Sequence, residues 1–117
     1  MRDFTDELRD VARRVTEASG YLGIEEARNR LVELEAEIGR PDLWDDAERA
    51  KQVNSDYAAV KDDIDIYDGL ARDLSDAEVL HELARELDDE TQEDEIAGSL
   101  AALSARLDQL ELRSLFT

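Results

Sequence analysis

Cysteine is missing altogether from the 117 residues, which removes disulfides and every thiolate-based site. Proline appears once, as Pro41, and glycine only five times, so long stretches contain nothing that would break a helix. Aromatic residues are scarce, two Phe, one Trp and three Tyr, and a sheet core would draw on more of them. No run approaches the roughly 20 apolar residues that cross a bilayer. The first ten residues hold Arg2, Asp3, Asp6, Glu7, Arg9 and Asp10 in place of a signal peptide's apolar stretch. A soluble cytoplasmic protein is the expectation from these two absences. Positive charge is also short: 14 basic residues face 32 acidic ones, a formal charge of −18. Such a chain repels nucleic-acid backbones and anionic membrane surfaces, so no direct nucleic-acid binding and no membrane association are expected. A basic protein surface complements it, although the same charge would also serve solubility alone. The imbalance is steeper towards the C-terminus. Residues 1–60 carry nine basic and fifteen acidic groups, and residues 61–117 carry five and seventeen.

Leucine, alanine, glutamate, aspartate and arginine dominate instead, spaced with helical period. Residues 45–74 read as a spine. There Val53, Tyr57, Val60, Ile64 and Tyr67 step by four, three, four and three, which aligns them on one stripe. A helix of that length would span roughly 45 Å. Its only glycine, Gly69, falls in its last turns. Ile96, Leu100, Leu103, Leu107 and Leu110 repeat the spacing within residues 91–115. Two matching stripes of similar length predict antiparallel packing at a shallow angle. The expected fold is therefore all-α, an antiparallel helical bundle with coiled-coil-like packing around two long helices.

Shorter helices fill the remainder. Phe4, Leu8, Val11 and Val15 make one stripe over residues 3–18, with Ser19-Gly20 as its end. Tyr21 and Leu22 should pin the following turn to the core. Ile24, Ala27, Leu31, Leu34 and Ile38 form the buried face of a helix over residues 24–38, stopped by Gly39 and Pro41. Trp44 reads as a staple packing back on the spine's first turns, with Asp45 or Asp46 as N-cap. Ser75 and Glu78 have the spacing of a capping box and predict a fourth, short helix bearing Val79, Leu80, Leu83 and Leu87. Residues 88–95 read as an acidic connection with Thr91 capping the last helix. Leu112, Leu115 and Phe116 extend the apolar surface and are candidates for weak self-association. The sequence reaches Thr117 without a helix stop signal, as an interior boundary would.

Sites of chemistry fail on inspection. His81-Glu82-Leu83-Ala84-Arg85 begins like a zinc-protease motif, but Arg85 stands where the second histidine is needed. The lone His81 is expected on a polar face. Asp62 to Gly69 resembles the start of a calcium loop, yet Tyr67, Asp68 and Leu74 occupy positions that need an oxygen ligand, glycine and glutamate. There is no glycine-rich phosphate loop and no Ser/His/Asp or Cys/His combination. The expectation is no catalytic residue, no cofactor-binding residue, no metal ligand and no cofactor.

Three stretches carry a resemblance when taken in order. They are Tyr21-Leu22, the segment from Glu35-Ala36-Glu37-Ile38-Gly39-Arg40 through Pro41-Asp42-Leu43-Trp44-Asp45-Asp46 to Ala50, and Leu110-Glu111-Leu112-Arg113-Ser114-Leu115-Phe116. Together they resemble the N-terminal domain of bacterial class-I peptide chain release factors, particularly the branch that directs termination at UGA and UAA. The Pro-Asp-Leu-Trp-Asp-Asp element is the most specific part. The resemblance covers essentially the whole chain but about the first third of such a factor. It implies that residues 1–117 are one helical domain that meets the ribosome near the large-subunit stalk base and the GTPase that recycles release factors. The family's codon-reading tripeptide and Gly-Gly-Gln motif belong to later domains, and no Gly-Gly pair occurs here. A stand-alone acidic coiled-coil adaptor is the alternative.

Overall fold

The structure, a computed structural model, describes residues 1–116; Thr117, where no stop signal was read, lies outside the described residues. Among the described residues four helices follow one another: α1 Thr5–Tyr21, α2 Ile24–Ile38, α3 Ala47–Glu86 and α4 Glu93–Ser114, with 3-10 turns at Leu43–Asp45 and Glu90–Gln92. No strand occurs among the described residues, and the fold is an all-α bundle.

α3 runs for 40 residues without interruption. At about 1.5 Å per residue it is close to 60 Å long, and it sets the 62 Å long axis of the molecule. The separate fourth helix expected from Ser75 does not exist. Ser75 and Asp76 are exposed positions inside α3, where polar residues cost a helix only tenths of a kcal/mol. The buried row continues past them through Leu70, Leu74, Ala77, His81 and Ala84. Gly69 accordingly lies mid-helix and buried, with the Arg106 side chain crossing it.

The buried face of α3 turns as the helix advances. Ala50, Val53 and Ile64 are buried in its first half, flanked by half-buried Tyr57 and Val60. At about 100° per residue, the Leu70-to-Ala84 row points roughly a third of a turn away from them. Each half therefore meets different partners. Leu34 and Leu43 pack with Ala50 and Val53 in a small core, with Ile38, Tyr57 and Val60 against it. The larger core joins Phe4, Leu8, Val11, Val15 and Ala18 of the N-terminal segment to Leu70, Leu74, Ala77 and Ala84 of α3 and to Ile96, Leu100, Leu103, Leu107 and Leu110 of α4. One end of the rod is thus a three-helix section and the other a two-helix arm.

Ion pairs between helices record the register. Arg49 to Glu37 (2.8 Å) and Arg28 to Asp68 (2.6 Å) set α2 antiparallel to α3. Arg106 to Asp73 (2.6 Å) and Arg113 to Asp63 (3.1 Å) do the same for α4. The Arg2 N–H meets Glu93 at the start of α4 and Arg14 reaches Asp108 and Glu111 near its end, so α1 runs parallel to α4.

The helix ends differ from expectation in instructive ways. Gly20 stays helical and α1 continues to Tyr21; Gly23, with φ 62°, takes the left-handed position instead. Asp46 caps α3 as expected, accepting from the Arg49 N–H at 3.1 Å. Trp44 is not a staple: it is 62% exposed, and its neighbour Leu43 enters the small core. At the far end of α3 the Asp89 N–H donates to the Ala84 carbonyl and the Asp88 N–H to that of Arg85. This pairing of carbonyls closes the helix as a Schellman motif, with Asp88 taking φ 49° where glycine is usual. Thr91 does not cap α4. It donates its N–H and hydroxyl to Asp89, which caps the 3-10 turn before it.

Candidate docking surface

Burial and pairing together define which groups face solvent. Among the described residues His81 is the only buried polar side chain, which corrects its expected place on a polar face. Its Nε2 accepts the Phe4 backbone N–H at 3.0 Å, and the two rings meet edge to face with centroids 5.8 Å apart. The imidazole thus closes the top of the large core by satisfying a donor that α1 leaves unpaired at its start. Arg85, one turn on, binds Asp3 at 2.7 Å. Asp3 also accepts from the Thr5 hydroxyl and N–H, and these hydrogen bonds are the main reason its pKa falls to about 2. The Met1 amino group donates to Asp88 at 3.1 Å, and the Arg2 N–H donates to Glu93. The beginning of the described chain is stitched in this way to the α3–α4 turn.

Arg14 holds α1 to α4. Its guanidinium meets both Glu111 oxygens, Asp108 and the Ser104 hydroxyl, at 2.7 to 2.9 Å, and only 13% of the side chain is exposed. The Glu111 hydrogen bonds raise the pKa of Arg14, and that of Glu111 is lowered in return. Asp73 and Asp68 are likewise held below the ordinary carboxylate value by their hydrogen bonds to Arg106 and Arg28.

Cations are almost fully occupied by such pairs. Among the described residues only Arg9 and Lys51, of all the lysines and arginines, make no ion pair. The surplus is therefore acid. Asp76, Glu78, Glu82 and Glu86 on α3 and Asp94 and Glu95 on α4 are exposed.

Most of the exposed large apolar groups among the described residues fall in three places. Val79, Leu83 and Leu87 stand 53%, 51% and 76% exposed along the end of α3. They do not form the core face expected of a fourth helix, because Ala77, His81 and Ala84 occupy that face. Leu112, Leu115 and Phe116 are exposed at the end of α4, and Val32 and Trp44 on the two-helix arm. Tyr21 lies at the margin of the bundle while Leu22 packs on the large core.

Two grooves between helices bear on docking. One, of about 500 Å³, runs between α1 and α4 over Val11, Ala97, Leu100 and Ala101. The other, of about 450 Å³, lies between α3 and α4 and is lined by Asp73, Asp76, Leu80, Glu95, Ser99 and Ala102. Among the described residues no group of three His, Cys, Asp or Glu side chains is placed to hold a metal ion. Residues 62–69, the sequence that resembles a calcium loop, are consecutive turns of α3 and point around the helix. Among the described residues no helix is long and apolar enough to cross a membrane. The arrangement has the chemistry of a contact surface, with acidic rims beside aliphatic ridges.

Residues 27–117 match the family described as the PCRF domain. Peptide chain release factor 2 of Aliivibrio fischeri is 36% identical over 110 residues, which cover 94% of this chain and 30% of that protein. The chain thus spans less than a third of the length of this curated relative.

Proposed function

The chain belongs to the PCRF-domain family, and from that membership we propose that it is the helical N-terminal domain of a peptide chain release factor. The observation that carries this reading is the match over residues 27–117, and the 36% identity to a release factor 2 supports it. In this reading the complete protein directs translation termination at UGA and UAA. Codon reading and peptidyl-tRNA hydrolysis belong to domains beyond these residues. Residues 1–117 serve as a contact module towards the large-subunit stalk base of the ribosome and the translation GTPase that recycles the factor. Its own part is non-catalytic.

The surface chemistry supports docking. A net charge of −18 disfavours RNA contact and favours a basic protein face. The seams that a stand-alone coiled coil would offer to a second chain are closed within this one, since Ile96, Leu100, Leu103, Leu107 and Leu110 are all buried against α1 and α3.

The test is peptide release from ribosomes stalled at UGA, UAA and UAG. The chain alone should release nothing. The protein encoded by the complete gene should act at UGA and UAA, and deleting residues 1–117 from it should leave codon-dependent hydrolysis while impairing GTPase-driven recycling. A complete gene product inactive at all three codons, or a deletion without effect on recycling, would overturn the reading.

A further inference from the structure

Val79, Leu83 and Leu87 follow one another at four-residue spacing over the last turns of α3. Side chains so spaced share one helix face, and here they form an exposed ridge about 12 Å long. The ridge borders the α3–α4 groove. Leu80, three residues before Leu83, lines that groove with Asp76 and Glu95. Asp76, Glu82 and Glu86 lie on the same stretch of α3 and are exposed. The nearby cations do not neutralise them, because Arg72 and Arg106 both pair with Asp73 and Arg85 pairs with Asp3.

We infer that this ridge and groove are a docking site for a basic amphipathic helix of a partner protein. The occupant's apolar face covers Leu80, Leu83 and Leu87, and its lysines and arginines stand beside Asp76, Glu82 and Glu95. The inference rests on the docking role proposed above and adds to it the face used and the chemistry of the occupant. An apolar ridge beside a groove suits helix-in-groove recognition, in which residues at three- and four-residue spacing make the anchors. The acidic rim supplies steering and selects charge. The same rim repels a nucleic-acid backbone, and a second copy of this chain would bring like charge against it.

The test uses the 117-residue chain, isotope-labelled for NMR, and a designed peptide of about 18 residues, five helical turns, with one leucine face and lysine or arginine elsewhere. A scrambled peptide of the same composition and a peptide with glutamate replacing each basic residue serve as controls. The expected result is saturable shifts confined to residues 76–87 and 95–102, with Leu83→Asp weakening binding about tenfold or more, as loss of a central anchor does. Asp76→Lys with Glu95→Lys should weaken it and remove its salt dependence. Leu112→Asp should change nothing. Leu83, Asp76 and Glu95 are exposed, and an unchanged circular dichroism melt will confirm that the variants fold. No binding, equal binding of either control, or shifts centred on Leu112 to Phe116 would overturn the inference. Any of those results would leave the termination and recycling assay standing, and failure of that assay would remove the release-factor reading without touching the peptide result.

Discussion

His81 occupies a place that an aliphatic side chain could fill by volume, yet its Nε2 is the partner of the buried Phe4 N–H. Replacing it by leucine strands that donor, which costs about 1–3 kcal/mol. In a domain near 100 residues each kcal/mol moves the melting temperature by roughly 4–8 °C, so calorimetry of His81→Leu should show a clear fall. An unchanged melt would mean the bond contributes nothing. Arg14 makes a second residue-scale prediction. Glu111, Asp68 and Asp73 have folded pKa values below their ordinary ones, and Asp3 drops from 3.8 to about 2. A depressed carboxylate stabilises fully above its unfolded pKa and loses that contribution as pH falls through the folded value. Urea midpoints should therefore hold down to about pH 5 and decline below it, with the Asp3 part lost last, near pH 2. Relief of the −18 charge acts in the opposite direction, so the informative comparison is with Arg14→Met. That variant should be less stable at pH 7 and have a shallower acid decline; parallel profiles would contradict the account. None of this pairing was legible in the sequence, because helix periodicity places a residue on a face but does not say which arginine reaches which carboxylate across helices.

The stripes of α1, α2 and α4 were legible, since strong apolar residues repeat at three and four with polar residues between. α3 was only half legible. Past Leu74 its buried row passes to Ala77, His81 and Ala84, which carry little hydrophobic signal. The conspicuous leucines and valine lie on the solvent side, and Ser75 with Glu78 imitates a helix start. Small residues at 77 and 84 leave room beside α3 for α1 and α4, a packing reason that only the partners reveal. Trp44 misled similarly, because the shorter Leu43 points inward and the larger ring does not. Asp76→Pro separates the two descriptions of α3. Were Ser75 an N-cap, proline at the next position would be tolerated. In a continuous helix it costs about 3 kcal/mol or more, and chemical denaturation should show that loss. Burial is tested by Leu103→Ala in the large core and by Ile64→Ala on α3, at sites 1% and 4% exposed. Each should cost about 2–5 kcal/mol, as buried large-to-small changes do, and denaturation curves matching the unsubstituted chain would refute the packing described.

The molecule as a whole is a rod, three helices thick at one end and two at the other. Its Cα radius of gyration is 18.9 Å, whereas a compact domain of about this length has roughly 13 Å. The elongation follows from letting two successive short helices, α1 and α2, share the length of α3 without stacking on each other. It leaves much surface for few residues, and that surface is acidic with aliphatic ridges. The candidate site could not be read from the sequence for this reason: Val79, Leu83 and Leu87 become a surface only once the opposite face of α3 is known to be buried. The central claim is that one chain closes both of its apolar seams and remains a slender, acidic body. Small-angle scattering over a dilution series tests it most directly. A concentration-independent mass of 13.2 kDa, with a longest dimension near 62 Å, is the predicted result. A compact particle, or a mass that doubles while the helices melt on dilution, would contradict it.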